Sequence, residues 1–227
     1  MQAPKPFQYD YPRPALTADC VVFGLDRDGV KVLLIERGRD PYVGWWAFPG
    51  GFVEENECVE NCAARELREE THLDRFSLHQ FGVFSREGRD PRGWTVSVAF
   101  FVCMRIDMDA SGLRADDDAA RLQWFSIQDL PALAFDHAEM LQCALQMLRS
   151  RMMAEPLAFD FLPPVFTFED ADTLFTSLFG PDKDVFEWLE RMRKAGLVRV
   201  HNEDVPSYIF EKSVYEPLRE QYRIRFV

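Results

Sequence analysis

Residues 51–73 read GFVEENECVENCAARELREETHL. Within them Val59, Ala63 and Leu67 recur at four-residue spacing, which predicts a helix over Glu57 to Glu70 with one apolar face. Glu66, Glu69 and Glu70 then fall at i, i+3 and i+4, so three carboxylates leave one face of that helix as close neighbours. An acidic string of this kind is ordinarily a solvated helix face. Here Pro49-Gly50-Gly51 sets open backbone carbonyls immediately ahead of the helix, and hard oxygen ligands of both kinds suit Mg²⁺, with Mn²⁺ as an alternative.

Working outward, Ala18 to Leu25 and Lys31 to Glu36 are runs rich in β-branched residues around Asp26-Arg27-Asp28-Gly29, which predicts a hairpin whose Gly supplies a positive φ. Arg37 to Gly51 reads as a loop. Further strands are expected at Leu78 to Phe84, Thr95 to Arg105 and Leu122 to Ser126. A helix follows from Asp136, a candidate N-cap, with Met140, Leu141, Ala144, Leu145 and Leu148 on its apolar face. The pattern is that of an α/β domain over 18–155, preceded by a proline-bearing extended arm at 1–17.

Between Glu155 and Pro164 the periodicity stops, and the domain junction is placed there. In 156–227, Thr167 and Asp170 form a capping box for a helix to about Phe179, and Gly180-Pro181 ends it. A second helix, Asp182 to Ala195, stops at Gly196, and Leu197 to Val200 with Tyr208 to Lys212 read as two strands. Helix, turn, helix and a two-stranded wing is a winged-helix-like pattern.

Composition narrows the function classes. The 227 residues carry 26 Lys+Arg against 38 Asp+Glu, a formal charge of -12, and are 47% hydrophobic, so the chain can bury a core and is neither disordered nor fibrous. The longest nearly apolar run, Val96 to Met104, is far shorter than the roughly 20 residues of a membrane-crossing helix, and the N-terminus has no signal-peptide pattern. Five cysteines without a CxxC pair fit a reducing compartment, so a cytoplasmic protein with no membrane partner is expected.

The segment resembles the Nudix hydrolase family, whose box is G-x5-E-x7-R-E-U-x-E-E-x-G-U. Gly51, Glu57, Arg65, Glu66, Leu67, Glu69, Glu70 and Leu73 stand in register, and His72 replaces the second Gly. Leu33 to Arg37, Gly44 to Gly51, Gln123-Trp124-Phe125 and Leu130-Pro131 are also similar to that family. His72 and Asn56 are residue types that accept a positive φ at a cost on the order of 1 kcal/mol, so the box reads as intact. Cys58, where the family often has a capping Ser or Thr, is a weak N-cap.

The resemblance implies an α/β/α Nudix sandwich. Glu66, Glu69 and Glu70, with the carbonyl of Gly50 or Gly51, would bind Mg²⁺ that bridges a substrate diphosphate. Arg65 and Glu57 would be supports, and the proton acceptor would be Glu87 or Glu70. Residues Arg89 to Val98 look like a segment of ADP-ribose pyrophosphatases, which makes ADP-ribose the first substrate choice. Arg37, Arg39 and Arg92 would then contact phosphate, and Trp45 or Trp46 would stack on a base or ribose.

A Nudix domain followed by a winged helix also resembles the NrtR family of regulators, through Phe135 to Met140, Glu155 to Phe159 and Leu162 to Thr167. That implies a homodimer that senses ADP-ribose or another metabolite and binds DNA. The charge of the second helix argues against DNA. Residues 156–227 hold 9 Lys+Arg and 13 Asp+Glu, and Asp184, Glu187 and Glu190 would meet the phosphates first. Arg219, Arg223 and Arg225 in the tail could restore a phosphate contact, although scattered basic residues on an acidic domain are more often solvated.

Overall fold

The computed structural model describes residues 9–106, 119–202, 204 and 206–222. Residues 1–8 of the predicted N-terminal arm and the tail residues Arg223 and Arg225 lie outside that range. The hairpin forms as β1 (Ala15–Asp26) and β2 (Gly29–Arg37), with Gly29 at φ 123 and the Asp28 N–H donating to Asp26 Oδ1 at 2.9 Å across the turn. Next come β3 (Trp46–Ala47), β4 (Gly50–Phe52), α1 (Val59–Thr71), β5 (His79–Phe84), β6 (Thr95–Arg105), β7 (Ala119–Ser126) and α2 (His137–Ala154).

These seven strands make one mixed sheet. β1 runs parallel to β6 along its whole length, from Ala15 beside Thr95 to Leu25 beside Arg105. On its other edge β1 has two antiparallel partners in succession, β4 at Thr17 to Asp19 and β2 from Val22 onward. The edge therefore forks, and the loop predicted at Arg37 to Gly51 contains the two short strands that open the fork. Two-residue and three-residue strands carry too little periodicity to be read.

Side chains of β1 alternate between two layers. Cys20 and Val22 pack with Cys62, Ala63 and Leu67 of α1, whereas Val21, Phe23 and Leu25 pack with Met140, Leu141 and Ala144 of α2. The result is the expected α/β/α sandwich. Leu67 is fully buried, and its truncation to Ala would cost about 2–5 kcal/mol. Both ends of α1 behave as their residues dictate. Cys58 gives no side-chain cap, Asn56 has φ 67, and His72 closes the helix at φ 59 with its N–H on the Arg68 carbonyl. Asp136 does not cap α2, because its carboxylate is engaged elsewhere.

The stretch after Glu155 holds a one-turn helix, α3 (Ala158–Phe161), too short to leave a pattern. Its Phe161 belongs to one buried cluster that continues from Phe23 through Leu148 to Phe166, Phe175 and Trp188, so the core does not break at the prolines. Beyond lie β8 (Val165–Thr167), α4 (Phe168–Phe179), α5 (Val185–Lys194), β9 (Val198–Asn202), β10 (Ser207–Phe210) and α6 (Lys212–Tyr222). The capping box of α4 is complete. α5 starts three residues later than predicted because Asp184, not Asp182, accepts the Glu187 N–H. It ends with Gly196 at φ 72 and the Leu197 N–H on the Met192 carbonyl. β8 joins the two predicted strands in a sheet of order β8-β10-β9. Among the described residues, no helix is long and apolar enough to cross a membrane.

Candidate active site

The fork in the sheet opens into a cavity of about 410 Å³. The residues 51–73 build one wall. Glu70 turns inward from α1 and accepts the Gly50 N–H at 2.8 Å. Burial pushes its carboxyl up to about 8, and the like charges of Glu66 and Asp19 add to that. Glu66 also lines the cavity, and burial raises its pKa against the pull of Arg65. Gly51 is required for space here, since a Cβ would come within 2.1 Å of Glu66 Oε1. A Cβ on Gly50 would lie 2.4 Å from the Ala18 carbonyl.

Arg65 stands behind these carboxylates. It donates from Nε and Nη2 to Glu57 at 3.0 and 2.9 Å, and from Nη1 to Glu66 at 2.7 Å and Glu69 at 3.3 Å. The guanidinium holds Glu57 down to about 2. Glu57 in turn accepts the Glu54 N–H at 3.0 Å, which ties the loop to the helix. Glu69 points outward with its side chain 60% exposed, so the three glutamates are not drawn together. Among the described residues, no three His, Cys, Asp or Glu side chains stand as a ready-made ion site.

The donor chemistry nonetheless fits a hard divalent cation. Two partly buried carboxylates, Glu66 and Glu70, face a glycine cradle with no room for a side chain.

The opposite wall gathers residues from distant segments. Arg37, at the end of β2, donates from Nε to the Pro41 carbonyl at 2.7 Å and from Nη2 to the Arg39 carbonyl at 3.4 Å. Burial lowers its pKa, and Arg92 adds to the effect. Arg92 grips Asp90 through Nε and Nη2, and its guanidinium lies 4.9 Å from the Phe52 ring centre. Trp46 is not in this wall: it packs edge-on against Phe125, with centroids 4.6 Å apart. Arg39 and Glu87 are exposed and do not line the cavity either.

Asp19, Phe52, Arg89, Phe135 and His137 also line the cavity. Asp19 accepts a short hydrogen bond from Ser97 Oγ, and burial raises its pKa. Arg89 and Asp136 form a buried bidentate pair at 2.9 and 2.8 Å. His137 Nδ1 accepts the Phe48 N–H at 3.0 Å, and burial lowers the imidazole to about 3. The ring is therefore neutral with its proton on Nε2, which stands 3.9 Å from Asp19 Oδ1. None of these residues shows a spacing that marks it in the sequence. Only the segments Arg89 to Val98 and Phe135 to Met140 signal them, by resemblance.

A NUDIX domain profile matches residues 13–143. The ADPR responsive transcriptional repressor NtrR of Acinetobacter baylyi is 31% identical over 193 residues, covering 83% of this chain and 76% of the relative. An ADP-ribose pyrophosphatase of Methanocaldococcus jannaschii is 39% identical over 132 residues, 58% of this chain and 73% of the relative. The crystal structure of Shewanella oneidensis NrtR complexed with a 27mer DNA superposes with a TM-score of 0.75 at 25% identity, covering 88% of this chain and 95% of that one.

Proposed function

We propose, from the premise that the chain belongs to the Nudix domain family, that it is a Mg²⁺-dependent hydrolase of nucleoside diphosphate derivatives, with ADP-ribose split to AMP and ribose 5-phosphate. The observation that carries this reading is one cavity with carboxylates, Glu66 and Glu70, on one wall and guanidiniums, Arg37 and Arg92, on the other. A diphosphate neutralised by metal on one side and by arginine on the other matches that polarity. Likeness to an ADP-ribose pyrophosphatase supports the substrate.

Glu66, Glu70 and the carbonyl of Gly50 or Gly51 would hold the ion, with Glu69 joining by a change of rotamer. Bound there, it would neutralise phosphate charge and acidify a water. Arg65 and Glu57 orient Glu66 and keep its oxygens facing the cavity. Glu70 is the proton acceptor in this reading. One of its oxygens is held by the Gly50 N–H, which fixes the other toward the cavity. Glu87 has no such place. Arg37 and Arg92 bind the phosphate oxygens.

A second reading, a regulator that senses the same ligand and binds DNA, is favoured by likeness to the repressor over most of the chain. α4 and α5 with the sheet β8-β10-β9 support a winged-helix-like unit over 156–227 beside a Nudix domain over 18–155, and the homodimer belongs to this reading by resemblance alone. Against DNA stands α5, whose exposed Glu187 and partly exposed Glu190 accompany Asp184 at three-residue spacing. Steady-state release of AMP from ADP-ribose with Mg²⁺, in the parent and in Glu70→Gln, tests the hydrolase. Turnover in the parent that falls about 100-fold or more in the variant is expected. Tight ADP-ribose binding with no turnover in the parent would favour the regulator.

A further inference from the structure

Phe135 sits immediately before α2 with φ 54. That left-handed conformation is strained for a residue with an aromatic side chain, and strain of this kind persists only where the surroundings hold it. Three bonds do so. The Ala134 N–H donates to the Trp46 carbonyl at 2.8 Å, the His137 N–H donates to the Ala134 carbonyl at 3.2 Å, and Asp136 is clasped by Arg89.

The strained backbone directs the ring into the cavity, where two cations meet it. The guanidinium carbon of Arg37 is 4.7 Å and that of Arg92 5.4 Å from the ring centre, and Tyr42 braces it edge-on at 4.9 Å. Both arginines use Nε and Nη2 for bonds within the protein, and Nη1 of each has no hydrogen-bond partner among the described residues. Arg92 pairs with Asp90, whereas Arg37 forms no ion pair among the described residues and feels Asp90, Glu70 and Asp19 only across the cavity. Two like charges side by side, each with a donor left over, are set to receive an anion.

We propose that Phe135 is a positioning residue: its ring stations Arg37 and Arg92 as a paired clamp for one anionic phosphate group of the substrate, and so sets affinity and not the rate of the chemical step. The inference rests on the diphosphate reading above and assigns to a residue outside the Nudix box the task of aligning the basic wall. Cation–π attraction between the Phe135 ring and the two guanidiniums supplies the alignment.

The test uses the full chain and two ligands, ADP-ribose and inorganic pyrophosphate, with calorimetric affinity and the steady-state constants for AMP release. Phe135→Leu removes the ring but keeps apolar bulk. It is expected to raise KM and weaken pyrophosphate binding about tenfold while kcat stays within about twofold. Phe135→Tyr, which keeps the ring, is expected to restore both. Parental affinity in Phe135→Leu, an equal loss in kcat and kcat/KM, or a Tyr variant as weak as the Leu variant would overturn the proposal. Should Phe135→Leu fail to fold, Phe135→Met decides in its place. A tenfold rise in KM with kcat retained supports the clamp, and an unchanged KM refutes it. A parent that binds pyrophosphate yet releases no AMP defeats the hydrolase reading and leaves the affinity comparison to judge this one. A parent that binds neither ligand overturns the clamp itself.

Discussion

One wall of the cavity comes from a single stretch of chain, Gly50 to Glu70, while the other is assembled from the end of β2, the loop before β6 and the residues leading into α2. The acidic wall is fixed by helical spacing and by one arginine, Arg65, that touches Glu57, Glu66 and Glu69 together. The basic wall has no such local rule, and its arginines are set by ring faces and backbone carbonyls that only the folded chain brings near. Chemistry that depends on a motif can therefore be retained while recognition changes, because the two depend on different parts of the fold.

That contrast can be attacked at several points. The largest effect is expected where the basic wall is anchored: Asp136→Asn leaves Arg89 buried without its partner, and urea unfolding should show a loss of about 3–5 kcal/mol. A loss under 1 kcal/mol would mean that this pair does not hold the wall. Next, Glu66→Gln should lower kcat/KM about 100-fold, and Glu69→Gln, whose carboxylate points outward, should lower it less. Equal losses would show that Glu69 engages the ion as firmly as Glu66 does. Arg92→Met should raise KM about tenfold and leave kcat nearly unchanged, the split expected of a binding residue.

The smallest effect is a pH dependence. His137 is held at about 3 in the folded chain against 6.5 when unfolded, so between those values the unfolded chain takes up the extra proton. The contribution of His137 to stability is complete well above pH 6.5 and is lost as pH falls, by about 1–2 kcal/mol at pH 5.5. His137→Gln can still accept the Phe48 N–H and does not titrate, so the melting temperature of the variant relative to the parent should rise as pH falls over that interval. Parallel curves for parent and variant would remove His137 from the account.

The ease of reading the chain follows the same division. The hairpin, α1, β6, the α4 capping box and the Schellman end of α5 were legible because each rests on neighbours within a few residues. β3, β4 and α3 were not, since elements of two to four residues carry no period. In the site, Glu66 and Glu70 follow from spacing. Asp19 and His137 are single polar residues in apolar surroundings, and nothing local separates them from ordinary buried side chains. Trp46 shows the converse, an aromatic residue next to the glycine turn that the sheet uses for packing. Asp136 misled as an N-cap because its partner, Arg89, lies far away in sequence.

The most direct test is a crystal of the parent soaked in Mn²⁺ and recorded at an anomalous wavelength. The account predicts a peak between the Gly50–Gly51 turn and the carboxylates of Glu66 and Glu70, with Glu69 swung away from Arg65. A fully soaked crystal with no peak there, and with Glu69 still paired with Arg65, would contradict it.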